Sequence, residues 1–395
     1  MNKLFILLLF VFNISVINTY AQEKASVNQR FRIALFAPLY LDSVFADGKL
    51  KSEKSIPKFI MPSVEFIQGA QIALDSLELT SQHVEAYIYD TRSTSEGIQS
   101  LFQHSSLDSV NLYIGSVKDK EYKQLADLAL HNKTPFISTT YPNDGNVTDN
   151  PYVFIVNSTL KAHIEGIYSY LLENHGTDRI YLCRKRGQQE DKIAAYLKMI
   201  NEQEGKPLLN IQTINFDSSV SPTYFKYKLD SLVPSVIIGG SLDEDFAASL
   251  TDASFYVFKK NYPITLIGMP NWDGFKAFIR KDAYKDFAIH FTSPYYNSKS
   301  EKNYNLLSTE YMKRFKSKPS DMACKGFEAV QYFVSILLNY PTDFISNIND
   351  KTFRVFSEYN FRPVYLKKKS GSIDYYENKH LYVMKIVNGA ISREW

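Results

Sequence analysis

Two rhythms of apolar and polar positions take turns along residues 31 to 140. Phe31-Arg32-Ile33-Ala34-Leu35-Phe36-Ala37, Val84 to Tyr89, Val110 to Ile114 and Pro135-Phe136-Ile137-Ser138 are short, mostly apolar runs of the length expected for buried strands. Between them, apolar residues recur three and four positions apart. The stretch from about Ser63 to Leu79 places Ile67, Ala70, Leu74 and Leu77 on one helical stripe, the next carries Ile98, Leu101 and Phe102, and a third runs from about Asp119 to His131. Strands alternating with amphipathic helices predict an α/β fold with a parallel sheet covered on both faces. Ligands of such sheets settle beyond the carboxyl ends of the strands. Pro38-Leu39-Tyr40, Asp90, Gly115-Ser116 and Ser138-Thr139-Thr140 fall at those ends.

After the Asn-, Asp-, Gly- and Pro-rich loop from Tyr141 to Pro151, the alternation returns. An extended segment, Tyr152 to Val156, leads to a helix from about Leu160 to Asn174. Strands are expected at Arg179 to Cys183, Leu209 to Phe216, Ser235 to Ile238, Ile264 to Gly268 and Phe287 to Phe291, with helices between. Further helices are expected at Tyr304 to Phe315 and Cys324 to Leu338. Short tail strands follow at Pro363 to Leu366 and Lys379 to Val387, joined by a turn at Ser370-Gly371 and finished by one at Asn388-Gly389. Two similar halves without a long flexible linker predict two doubly wound lobes joined at a hinge. The loop from 42 to 62 rises from the end of the first strand, either over the crevice or as an insertion with no ligand role.

Composition narrows the class. The 395 residues are 45% hydrophobic and 22% charged, ordinary for a globular chain with a sizeable core. The 28 Tyr and 27 Phe fit the usage of an AT-rich genome. Residues 1–21 read as a cleavable secretory signal, with Lys3, an apolar run from Leu4 to Ile17, and Thr19-Tyr20-Ala21 at the cleavage site. Residues 22–30 form a polar leader. No Cys follows the apolar run, so the expectation is a periplasmic or secreted protein without a direct membrane anchor. Removing Lys3 lowers the net charge from +3 to +2, too small an excess for a nucleic-acid footprint. Cys183 and Cys324 are expected as buried free thiols.

Catalytic patterns are missing from the sequence. The seven His are scattered, with no H-E-x-x-H, G-x-S-x-G, P-loop or zinc spacing, so no catalytic residue, metal or cofactor is expected. Arg184-Lys185-Arg186 reads either as an anion site or as a solvated loop. Asp243-Glu244-Asp245 reads either as favourable charge at a helix N-terminus or as a cation site. Trp272 and Tyr295-Tyr296 are candidates for stacking on a ligand or for the core.

The order of features resembles a type I periplasmic binding protein, of the branched-chain amino-acid-binding group of ABC-transporter receptors. The landmarks are Ile33-Ala34-Leu35-Phe36-Ala37-Pro38-Leu39, Gln68-Gly69-Ala70-Gln71-Ile72-Ala73, Tyr89-Asp90-Thr91, Tyr113-Ile114-Gly115-Ser116 and Pro135-Phe136-Ile137-Ser138. Val236-Ile237-Ile238-Gly239-Gly240, Leu266-Ile267-Gly268, Ser293-Pro294 and Lys325-Gly326-Phe327-Glu328-Ala329 follow in the same order. The resemblance implies three crossings between lobes, near residues 155, 290 and 350. Lobe one would be 28–154 plus 290–348, and lobe two 155–289 plus 349–395. It also implies a non-enzymatic role: capture of a small polar ligand, an amino acid or related anion, in the interlobe cleft by hinge closure. Ser116, Ser138, Thr139 and Thr140 would hold a carboxylate, and Asp243 or Asp273 an ammonium; Tyr40, Tyr141, Arg186, Ser241, Trp272 and Tyr295 complete the candidate set. The implied partner is a membrane permease. The alternative is an interaction module on the same fold that regulates cell-envelope enzymes.

Overall fold

Six of the seven residues of strand β1 (Phe31–Ala37) are buried, the pattern of a strand with helices on both faces. The computed structural model describes residues 30–51, 55–78, 84–94, 98–101, 107–203, 205–366 and 371–395. The expected signal segment, all but Arg30 of the polar leader, Phe102 and Ser370 lie outside the described residues.

Within the 42–62 stretch, β2 (Phe45–Ala46) and β3 (Lys49–Leu50) form a small hairpin. The following strands are β4 (Val84–Asp90), β5 (Leu112–Gly115), β6 (Phe136–Ser138) and β7 (Val153–Ile155). Together with β1 they form a run of parallel strands in the order β7-β6-β5-β1-β4. A second sheet contains β8 (Arg179–Lys185), β9 (Ile211–Phe216), β10 (Ser235–Gly239), β11 (Ile264–Ile267) and β12 (Ile289–Ser293). Its parallel part runs β12-β11-β10-β8-β9, the same winding as the first.

The tail completes both sheets. Strands β13 (Phe361–Val364) and β14 (Tyr375–Asn378) add to the free edge of β7, with Tyr376 beside Phe154 and Glu377 beside Ile155. Strands β15 (Tyr382–Val387) and β16 (Ala390–Arg393) add to β12. Asn388 (φ 52°) and Gly389 (φ 74°) supply the two left-handed residues of the turn between them, as a tight hairpin requires. The third passage between sheets therefore follows Asn378, not residue 350, and residues 361–378 belong with the first sheet rather than with lobe two. Alternation marks a hairpin but carries no information about which sheet edge accepts it. Here the stacked rings of Phe154 and Tyr376, 5.0 Å apart, join the hairpin to β7.

Helices enclose the sheets. Ser320 caps the helix Asp321–Asn339 by accepting a hydrogen bond from the Ala323 N–H at 3.2 Å. That helix crosses the helix Met61–Glu78 with backbones nearly touching: a Cβ on Gly69 would lie 1.9 Å from the Ala323 carbonyl oxygen. Both helices contribute to the core against the first sheet. A separate core fills the second unit.

Candidate functional site

The three chain passages between the sheets are tied to one another. Ser158 donates to the Asn378 carbonyl at 2.7 Å, and the Thr159 N–H donates to Glu377 at 2.7 Å. His163 Nδ1 meets the Thr292 hydroxyl at 2.8 Å. Burial pushes the His163 pKa down to about 3, so the ring is neutral. Beside these passages opens a cavity of about 550 Å³. Pro142, Asp144 and Lys325 reach it from elements of the first unit, and Lys192, Asn271 and Asp273 from the second. Its volume is that of a small-molecule site.

Charge in the cavity is partly neutralised by the protein itself. Lys379 forms ion pairs with Glu377 at 2.6 Å and Glu165 at 2.8 Å. Burial works against the Lys379 charge, but the two carboxylates outweigh it and hold the ammonium above its ordinary range. Asp144 accepts from the Tyr375 hydroxyl at 3.2 Å. Lys325 differs. Its ammonium lies 4.4 Å from the centre of the Tyr295 ring, and among the described residues no carboxylate forms an ion pair with it. Burial lowers its pKa, opposed by the fields of Asp321 and Asp273. Across the cleft, enclosure raises the Asp273 pKa, opposed by Lys325. Asn271 donates from Nδ2 to the Leu242 carbonyl at 2.8 Å, which leaves Oδ1 buried without a partner.

Of the twelve residues proposed from sequence, Asp273 and Tyr295 line this cavity. The Tyr295 hydroxyl donates to the Thr139 carbonyl, joining the second passage to the end of β6. The other ten are not in its wall. Ser116 and Thr140 pair through their hydroxyls at 3.1 Å, and the Thr139 hydroxyl donates to the Gly115 carbonyl at 2.8 Å. Ser138 is fully buried and its hydroxyl has no partner. Tyr141 packs on Tyr122 and donates to Asp119 at 3.2 Å. Tyr40 takes a left-handed conformation and packs edge-on against Phe59. Arg186 is solvent-exposed, opposite Asp217. Ser241 donates to Glu190 at 2.6 Å. Asp243 caps the helix Glu244–Phe258 through the Phe246 N–H and pairs with Lys185 at 2.8 Å. Trp272 is a core residue: its Nε1–H donates to the Ser241 carbonyl at 3.0 Å, and its ring lies where a side chain on Gly239 or Gly268 would stand. Strand ends in this fold are thus held largely by their own polar contacts.

Sequence reasoning missed Lys325, Lys192 and Asn271 as wall residues. Lys325 was visible only within a fold landmark, one residue before Gly326. The signal for it was there: a Lys in the first turns of a mostly apolar helix, beside a Gly that permits close packing.

Among the described residues, no helix is long and apolar enough to cross a membrane, and no group of three His, Cys, Asp or Glu is placed to hold a metal ion. No curated protein matches this sequence. In fold, the chain is similar to a putative branched-chain amino acid ABC transporter protein from Rhodospirillum rubrum, with a TM-score of 0.65 and 10% identity over 93% of this chain and 100% of that one. It is also similar to an ABC transporter substrate-binding protein from Desulfitobacterium hafniense, with a TM-score of 0.56 and 12% identity over 93% and 100% of the two chains. A third similar structure is LivJ from Streptococcus pneumoniae in complex with isoleucine, with a TM-score of 0.50 and 15% identity over 93% and 99%. The sequence match is to the periplasmic binding protein family over residues 63–339, most of the described chain, and with its two like-wound sheets this chain belongs to that family.

Proposed function

We propose that this chain is an exported solute-binding protein that captures a small polar molecule in the cavity between its two units and presents it to a membrane permease. The observation that carries the reading is the cavity itself: about 550 Å³, walled by both units and crossed by the passages that join them. Lys325, which forms no ion pair among the described residues, lines it from the first unit, and Asn271 and Asp273 line it from the second. Ligand contact with both walls favours a closed arrangement over an open one, so binding energy drives hinge closure. The amino acids bound by proteins of similar fold make amino acids the first solutes to test.

Calorimetry and thermal-shift titration against amino acids, small peptides and organic anions test the proposal. A saturable heat and a concentration-dependent rise in Tm support it, because a ligand that binds only the folded state stabilises it by mass action. The same fold could instead act as an interaction module for cell-envelope enzymes, a reading favoured by the internal satisfaction of Ser116, Thr139 and Thr140. Silence with every solute, together with specific capture of an envelope enzyme, would replace the first reading with the second.

A further inference from the structure

The two large sheets end in strands β13 and β4 on one side and β16 and β9 on the other. An edge strand exposes unpaired backbone N–H and C=O groups, and charge or proline along it discourages pairing with another chain. Three of these edges carry such residues: Glu85 and Asp90 in β4, Arg362 and Pro363 in β13, and Arg393 in β16. Strand β9, Ile-Gln-Thr-Ile-Asn-Phe, carries neither. It pairs with β8 from Ile211 beside Ile180 to Phe216 beside Lys185, and among the described residues no strand pairs with its other side.

A cavity of about 290 Å³ lies against this edge, between β9 and the helix Gln188–Asn201. Leu182 on β8, Ile211 on β9 and Leu197 on the helix make its lining apolar. Ala195 and Thr213 are exposed at its mouth, with Lys198 and Glu202 beside them. The two charged residues are opposite in sign, so an uncharged side chain suits this mouth. Leu208, 60% exposed, continues the apolar surface at the amino end of β9, and its N–H donates to the Asn201 carbonyl at 3.3 Å. The volume falls just below the roughly 300–1,000 Å³ of small-molecule sites, which matches one inserted side chain better than a free solute.

We propose that β9 and the helix Gln188–Asn201 form a groove for an extended segment of a partner protein, which pairs with β9 as a further strand of the sheet and places one aliphatic side chain in the cavity between Leu182, Leu197 and Ile211. In strand addition of this kind, backbone hydrogen bonds supply affinity and the side-chain pocket supplies selectivity. A second copy of this chain is a poorer occupant. Ile211 and Thr213 of its own β9 already line its own cavity, so two copies would bring two cavities and no side chain to fill them. The groove shares no lining residue with the interlobe cavity, so it stands apart from solute capture.

The probe is a display library of random decapeptides selected on the full chain, with enriched peptides synthesised and titrated by fluorescence polarisation. Those peptides are expected to share one aliphatic residue among strand-forming neighbours and to bind saturably. Binding should slow amide hydrogen exchange at residues 211–216 and leave exchange in β4 as it was. Ala195→Trp, at an exposed helix position, should plug the mouth and weaken binding at least tenfold. Thr213→Arg should do the same from the strand, and it decides should Ala195→Trp fail to fold. Peptides that protect another region, or that bind both variants as tightly as the unaltered chain, overturn the proposal. So does a library from which nothing is enriched. A dimer in sedimentation velocity that either variant disperses would assign the groove to a second copy instead and overturn the partner segment. Titration of small solutes reads solute capture separately, and none of these outcomes alters it.

Discussion

Gly69 and Gly326 hold two helices in backbone contact. A Cβ on Gly69 would meet the Ala323 carbonyl oxygen at 1.9 Å, and one on Gly326 would meet the Phe66 carbonyl oxygen at 1.9 Å. Neither obstacle is a side chain that can swing aside. Lys325 is next in the chain to Gly326, so this crossing sets the depth at which its ammonium enters the cavity.

Gly326→Ala should therefore push the helices apart rather than be absorbed locally. Overpacking of this kind costs about 3 kcal/mol. Urea unfolding should show a lower midpoint at an unchanged slope, and any solute affinity should fall as well. A Gly326→Ala protein as stable as the unaltered one would mean that the crossing is looser than described.

Asp90 acts as a clamp on the loop after β1. Its carboxylate accepts from the backbone N–H groups of Leu39 at 2.9 Å, Tyr40 at 3.0 Å, Leu41 at 2.7 Å and Arg92 at 2.9 Å. Asp90→Ala leaves these donors without their acceptor, at a cost of about 2 kcal/mol. Amide hydrogen exchange at residues 39–41 should accelerate, while exchange in β10 and β11 stays as it was.

Glu328 ties the helix Asp321–Asn339 to the Phe356–Ser357 segment through both backbone N–H groups and the Ser357 hydroxyl. Burial pushes its pKa up to about 7, and these hydrogen bonds only partly oppose the rise. The folded state thus holds this proton more tightly than the unfolded chain does. Its contribution is complete below the ordinary Glu range and declines as pH rises toward 7. His163, with its lowered pKa, works in the opposite sense over part of this range. The difference between the unaltered chain and Glu328→Gln isolates the carboxyl. The unaltered chain should lose on the order of 3 kcal/mol relative to Glu328→Gln between pH 4.5 and 7, at about 1.4 kcal/mol per pKa unit. Parallel stability profiles for the two proteins would rule out a raised Glu328.

Cys183 and Cys324 are free and buried. Burial raises both thiols, Cys324 to about 12, so little thiolate exists near neutral pH. A thiol-disulfide reagent should leave the native protein unmodified and label two thiols after denaturation. Rapid labelling before denaturation would contradict this burial.

Alternating periodicities along the chain determined the fold class, because a covered parallel strand must be apolar on both faces and a covering helix on only one. Strand β1 and the helices Met61–Glu78 and Asp321–Asn339 are legible on that ground. So is the turn at Asn388-Gly389, whose residues tolerate left-handed backbone. Tertiary structure decided the rest. The edge that receives β13 and β14 depends on packing such as Phe154 on Tyr376, far apart in sequence. The candidate site depended on it most. Asp90, Asp243, Ser116 and Thr139 have the right chemistry for a ligand, yet each is engaged by a nearby backbone or side-chain group. Among the described residues Lys325 has no ion-pair partner, and only the arrangement of its neighbours in space makes that visible.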